Sequence, residues 1–254
     1  MTNRVGGFDT SVVRIVLAAD VQSICNRVLR SPGLVLDVGR AHNKVASTDL
    51  YPIDTWDRIE VEMLTVRDIV TPEDGLSVFR ADQGLLSAVL RNRNPWKERV
   101  SGDPFDIDAD LQGYVNSIIS SRFGPKSLYR VCAEAVMLQS FPSKGMSSGL
   151  TTNGFHFDRE DAVSVRIGLN LGDVPRKVFY VPFSKSSILA EIPEHDRLNP
   201  YAAISKLGLP ALSVQIEPGE GWTLPTTEYL HDGRRAIPYG FSSFILFRAV
   251  KLES

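Results

Sequence analysis

Four histidines occur in the chain, His42, His156, His195 and His231, and one of them has a carboxylate two residues away. In Gly154-Phe155-His156-Phe157-Asp158 the His-x-Asp spacing matters if the segment is extended. Residues two apart on a strand project from the same face, so His156 and Asp158 would stand side by side. An imidazole nitrogen and a carboxylate oxygen placed in this way can take two corners of one face of an octahedral metal. A second histidine from a distant strand completes a two-His, one-carboxylate face and leaves three positions open, enough for O2 and a chelating co-substrate. His231, within Thr227-Glu228-Tyr229-Leu230-His231-Asp232-Gly233-Arg234-Arg235, is the best third ligand. His195 lies among charged and turn residues and reads as part of a solvated loop, and His42 reads as exposed. A His-x-Asp triplet alone also fits a surface pair or a structural hydrogen bond, and His231 also fits a capping or core histidine.

The elements that must place these groups divide the chain in two. From Thr10 to about Ser121 the pattern is mainly helical. Ser11–Arg30 carries Val12, Val13, Val16, Leu17, Val21, Ile24 and Val28 near a 3.6-residue period, and Ser31-Pro32-Gly33 ends it. Leu34–Val38 reads as a short strand, Arg80–Leu90 and Asp108–Ser121 as amphipathic helices, and Asn92–Pro104 as a loop. From about Leu128 short strands with turn signals take over: Tyr129–Phe141, Gly154–Asp158, Val163–Leu171, Val178–Pro182, Leu212–Ile216, Trp222–Pro225, Glu228–His231 and Ser242–Val250. In Ser164–Leu171 the apolar residues take every second position, as in a sheet packed on one side and lining a polar cavity on the other. The expected fold is α+β and mainly β: residues 128–254 form a sandwich or barrel, and a mostly helical part, residues 1–127, packs on it as one compact unit.

Composition narrows the partners. The chain has 254 residues, 43% hydrophobic and 23% charged, with a formal net charge of -2. Without a basic excess or a cationic run, neither nucleic acid nor an anionic membrane surface is an expected partner. Cys25 and Cys132 are far apart and have no CxxC spacing, so a disulfide framework is not expected and a reducing cytoplasm is the default compartment. The apolar stretch Val12–Val21 is broken by Arg14 and Asp20 and is too short to span a bilayer. The expected partners are a small-molecule substrate and O2, and self-association as a homodimer is allowed.

His156-x-Asp158, the later His231 and then Arg248 in Phe244-Ile245-Leu246-Phe247-Arg248 together resemble the iron(II)/2-oxoglutarate-dependent oxygenase superfamily. The resemblance covers roughly residues 128–250 and implies a double-stranded β-helix buttressed by the helical first half. It implies iron(II) on His156, Asp158 and His231, and 2-oxoglutarate as co-substrate with its far carboxylate on an arginine. A guanidinium fork suits that carboxylate because it gives two charge-assisted hydrogen bonds. Arg248 sits in an apolar strand and is the first choice; Arg166, on the presumed inward face of the strand after the triplet, is the rival. Arg234 and Arg235 follow His231 closely as candidate substrate contacts, and Asn170 and Tyr180 are candidate cavity donors. Because Asp158 is a carboxylate, the resemblance favours hydroxylation, desaturation or ring closure over halogenation, acting on a small metabolite such as an amino acid or a specialised-metabolism intermediate. Two other readings remain open at this point: a cupin-like metalloenzyme that does not use 2-oxoglutarate, and a non-catalytic β-sandwich binding protein.

Overall fold

The computed structural model describes residues 4–5, 8–9, 15–17, 22–36, 50–59, 65–66, 75–84, 86–87, 104–105, 113–114, 116–118, 120, 129–140, 150, 164–197, 200–235 and 242–251. Extended chain dominates them. In order the strands are β1 (Arg4–Val5), β2 (Phe8–Asp9), β3 (Ile15–Leu17), β4 (Val28–Ser31), β5 (Leu34–Leu36), β6 (Leu50–Pro52), β7 (Asp57–Arg58), β8 (Thr65–Val66) and β9 (Leu76–Arg80). They continue with β10 (Pro104–Phe105), β11 (Tyr129–Ser140), β12 (Ser164–Asn170), β13 (Arg176–Tyr180), β14 (Ala211–Ile216), β15 (Glu220–Pro225), β16 (His231–Arg235) and β17 (Ser242–Lys251). Helix α1 (Lys185–Ala190) and helix α2 (Tyr201–Lys206) lie between β13 and β14.

Two large sheets organise the chain. The eight-stranded sheet has the order β10-β11-β17-β12-β15-β9-β3-β8, and the five-stranded sheet has the order β16-β13-β14-β4-β7. All pairings are antiparallel except those of β3 with β8 and β9. From β12 onward the chain passes from one sheet to the other: β12 lies in the large sheet, β13 and β14 in the small, β15 in the large, β16 in the small and β17 in the large. Strands from the first half enter both sheets, so residue 127 is not a sheet boundary.

The expected helix over Ser11–Arg30 is not formed. Its described residues are the strand β3, a 3-10 turn at Gln22–Arg27 and the strand β4. The reason lies in residue type: the apolar positions are mostly valine and isoleucine, whose branched Cβ suits a pleated surface better than a helix. Residues 83–84 and 86–87, and residues 113, 114, 116–118 and 120, are helical, within the two other expected helices. Of the eight strands expected after Leu128, Gly154–Asp158 lies outside the described residues. The strand expected at Glu228–His231 is displaced: Glu228 and Tyr229 form a turn on the Pro225 carbonyl, and His231 opens β16.

Burial follows the two-residue period. On β13, Phe179 joins Val181, Leu230, Ala211, Leu34, Leu50 and Leu150 in a core closed by Ile188 of α1, Ile192, Ile204 of α2 and Leu209. Helix α1 starts where the Ser184 hydroxyl accepts from the Ser187 N–H, which satisfies one of the donors that a helix start leaves unpaired. On β12, Val165, Ile167 and Leu169 are fully buried.

Side-chain bonds tie the two sheets together at their ends. Asn170, at the end of β12, donates through Nδ2 to the carbonyls of Val174 (3.0 Å) and Ile216 (3.1 Å). Its Oδ1 accepts from Gly172 N–H. The Asn170 carbonyl takes the N–H of Gly219, whose φ of +78° makes the turn from β14 to β15, a conformation glycine adopts without a Cβ clash. Beside it Arg27 meets Glu220 in a two-pronged ion pair, at 2.7 and 2.9 Å, and donates to the Gln215 carbonyl. The Glu220 carboxylate, only 1% exposed, also accepts from the Glu217 N–H. Such a buried pair is strongly destabilising when one partner is removed, because the other charge stays desolvated. Arg27→Met should therefore cost about 3 kcal/mol in denaturant unfolding, and Arg27→Met with Glu220→Leu should recover much of that loss. A single variant within about 1 kcal/mol of the parent protein would show that the pair does not hold this corner.

Candidate metal centre

His231 is the member of the expected triad that lies among the described residues; His156 and Asp158 are outside them, as is His42. Its side chain is buried, and its Nδ1 lies 3.0 Å from the carbonyl oxygen of Tyr229. A carbonyl can only accept, so Nδ1 carries the proton, and in the neutral imidazole Nε2 carries the lone pair. Metal-binding histidines are held in this way, with one nitrogen anchored by a carbonyl or carboxylate and the other facing the ion. The donor chemistry of His231 fits the role the sequence assigns to it.

Register explains how His231 reaches that position. In the β13–β16 ladder it stands opposite Tyr180, and directly opposed residues of an antiparallel pair project from the same face. Phe179, on the other face of β13, belongs to the core beneath α1 and α2. His231 and Tyr180 therefore face away from those helices, on the side of Val178, Leu212, Val214 and Val28, all of them buried. The chain before His231 is fixed as well: Val181 N–H donates to the Leu230 carbonyl (2.9 Å) and Lys185 N–H to the Glu228 carbonyl (2.6 Å).

The two arginines expected to compete as carboxylate anchors occupy one cross-strand row. Arg166 on β12 pairs with Arg248 on β17 and, on its other side, with Leu224 on β15. Arg166 is half-buried. Arg234 and Arg235 pair with Lys177 and Arg176 along the β13–β16 ladder. Like charges directly opposite one another are unfavourable in a sheet unless an acidic group or an anion stands near them. His195 is 81% exposed and lies 3.7 Å from Asp196, the solvated position its neighbours imply. Asn170 is not a cavity donor: both of its polar atoms are engaged by backbone, and its side chain is wholly buried. Among the described residues no three His, Cys, Asp or Glu side chains converge.

Tyr180 is wholly buried, and its ring meets that of Tyr229 edge-on, with centroids 6.5 Å apart and planes at 72°. Burial holds its phenol well above the usual tyrosine range, and the neighbouring Tyr229 phenol pushes in the same direction. Tyr229 itself was not picked out by sequence reasoning. The signal for it was weak: an aromatic residue two before a histidine, at the end of a Pro-Thr-Thr turn.

No protein-family model matches the chain, and no curated protein sequence does. Solved structures do. The non-heme alpha ketoglutarate-dependent carbocyclase SnoK from nogalamycin biosynthesis is 13% identical, with a TM-score of 0.48, covering 70% of this chain and 79% of that one. The non-heme alpha ketoglutarate-dependent epimerase SnoN, from the same biosynthesis, is 13% identical, with a TM-score of 0.46, covering 70% and 78%. The Kdo hydroxylase KdoO, a non-heme Fe(II) alphaketoglutarate-dependent dioxygenase in complex with alphaketoglutarate and Fe(III), is 13% identical, with a TM-score of 0.42, covering 70% and 80%. Each of the three is a non-heme, alpha-ketoglutarate-dependent enzyme, and the chain is similar to all of them at low sequence identity.

The raised phenol of Tyr180 gives a pH expectation with a definite sign. The folded state holds that proton more tightly than the unfolded chain, so its stabilising contribution is complete below about pH 10 and is lost as pH rises through the folded-state value. In an alkaline absorbance titration, tyrosinate from Tyr180 should form only as the fold opens, and Tyr180→Phe should remove that late component. Ionisation of Tyr180 near pH 10, the ordinary phenol value, would contradict this.

Proposed function

We propose that the chain is a cytoplasmic iron(II)- and 2-oxoglutarate-dependent oxygenase of a small metabolite, on a double-stranded β-helix, with His156, Asp158 and His231 as metal ligands. The observation that carries this reading is the buried His231 with its Nδ1 proton committed to a backbone carbonyl. Metal-ligating histidines are commonly held with one ring N–H on a backbone carbonyl, and that arrangement supports the ligand role. The passage of successive strands from sheet to sheet supports the fold assignment, since it is the winding that a double-stranded β-helix requires.

With iron(II) bound there, 2-oxoglutarate and O2 would supply the oxidising chemistry for hydroxylation, desaturation or ring closure of the substrate. The protein's part is to hold and orient. His156 and His231 bind as neutral imidazoles and Asp158 as a carboxylate, so metal affinity falls as acid protonates them. The Arg248–Arg166 row anchors the far carboxylate of 2-oxoglutarate, with Arg248 as the main partner. Arg235 and its partner Arg176 lie on the same face of the ladder as His231 and supply cations for an acidic substrate group, in keeping with an amino acid or a carboxylated intermediate, whereas Arg234 stands with Lys177 on the opposite face.

Three measurements test the reading. Anaerobic addition of 2-oxoglutarate to the iron(II)-loaded protein should produce a weak visible absorption band, absent from the His156→Ala, Asp158→Ala double variant. Succinate release should be stimulated by one member of a panel of free amino acids and related metabolites, and the mass change of that compound identifies the reaction. Arg248→Gln should raise the KM for 2-oxoglutarate by roughly 10- to 100-fold with little change in iron affinity. Equal iron uptake by the double variant and the parent chain would overturn the metal assignment. Metal binding without the absorption band would point to chemistry independent of 2-oxoglutarate.

A further inference from the structure

We propose that the paired rings of Tyr180 and Tyr229 position His231, holding its imidazole in one orientation and one tautomer before any metal arrives. The proposal rests on the reading of His231 as a metal ligand and extends it to two residues that touch neither metal nor substrate.

Three observations carry it. Tyr180 is the cross-strand partner of His231, so its Cβ stands about 5 Å away on the same face, and a fully buried ring there leaves the imidazole little freedom to swing. Tyr229 supplies the carbonyl that fixes the proton on Nδ1. That carbonyl is held in turn, because the Tyr229 ring is buried edge-on against Tyr180 and its N–H is bonded to Pro225. One ring backs the other, and the second residue carries the acceptor for the ligand. Removing either ring frees the Tyr229 peptide to tilt, and the proton of the neutral imidazole can then settle on either nitrogen. A ligand that must first select its tautomer and rotamer has its affinity scaled down by the fraction of time it spends in the competent form.

The role belongs to the rings, so a hydroxyl deletion and a ring deletion should differ. The metal-free protein, labelled with 15N-histidine, reports the His231 tautomer through long-range proton–nitrogen correlations, and Co(II) titration reports affinity at the site. Tyr180→Phe should keep the Nδ1–H tautomer and a Co(II) Kd within about twofold of the parent protein, whereas Tyr180→Leu and Tyr229→Leu should show the Nδ1–H tautomer as a minor form, about a tenth of the population, and bind Co(II) about 10-fold more weakly. If Tyr180→Leu does not fold, Tyr229→Leu at the rim of the pair carries the same test. Folded leucine variants with an unchanged tautomer and an unchanged Kd would overturn the proposal, as would Tyr180→Phe behaving like Tyr180→Leu. A parent protein with the Nδ1–H tautomer but no Co(II) binding would instead overturn the metal reading, and the tautomer measurements on the leucine variants would still decide the role of the rings.

Discussion

The ladder between β13 and β16 places His231, the proposed metal ligand, at one height on one face of the small sheet. His231 pairs with Tyr180, and Leu230 continues the ladder by accepting from Val181. Alternation does the rest. Phe179 and Val181 turn into the core beneath the two short helices, so Tyr180 must turn the other way and carry His231 with it. A slip of one residue would exchange the faces, turning the imidazole toward the core that holds Phe179 and setting Asp232 beside Tyr180. The hydrophobic core beneath α1 and α2 is therefore also the device that aims the site.

Charge is distributed on a scale that the overall composition hides. A net charge of -2 in 254 residues describes a nearly neutral surface. Strand pairing nevertheless sets Arg166 against Arg248, Arg176 against Arg235 and Lys177 against Arg234. Directly opposed like charges repel unless other groups offset them. The ion pair of Arg27 with Glu220 does different work: it is buried, bidentate and joined to backbone at Gln215 and Glu217, and it fastens the turn that carries the chain from the small sheet back to the large one. Specific charge pairing thus anchors the scaffold at one corner, while like charges stand opposite one another on the ladders that carry the candidate ligand and anchors.

Much of the strand content was legible because alternation in a half-buried strand leaves a direct trace. Val165, Ile167 and Leu169 were readable as the buried side of β12 for that reason, and Ser242–Val250 as a long apolar strand. The helix expected over Ser11–Arg30 was misread because valines spaced near a helical period are compatible with both periods over a short stretch. Pairing partners outside the window, with β3 joining β8 and β9 and β4 joining β14, settled the matter. Asn170 was misread for a related reason. A polar residue on an alternating strand looks like a cavity group until the carbonyls of Val174 and Ile216 are found to be its partners.

For the site, the order of residue types along the chain was enough to nominate His156, Asp158, His231 and an arginine, since ligand chemistry is a property of side chains and needs no coordinates. Sequence also excluded His195, whose charged neighbours announce exposure. Tertiary structure alone decided the state of His231, because a tautomer depends on which acceptor lies within hydrogen-bond reach, and that acceptor is a backbone atom with no signature of its own. It alone showed that Arg166 and Arg248 share a row, and that Tyr180 stands against both His231 and Tyr229. These are facts of register, and register is fixed by pairing between segments far apart in the chain, which no local pattern records.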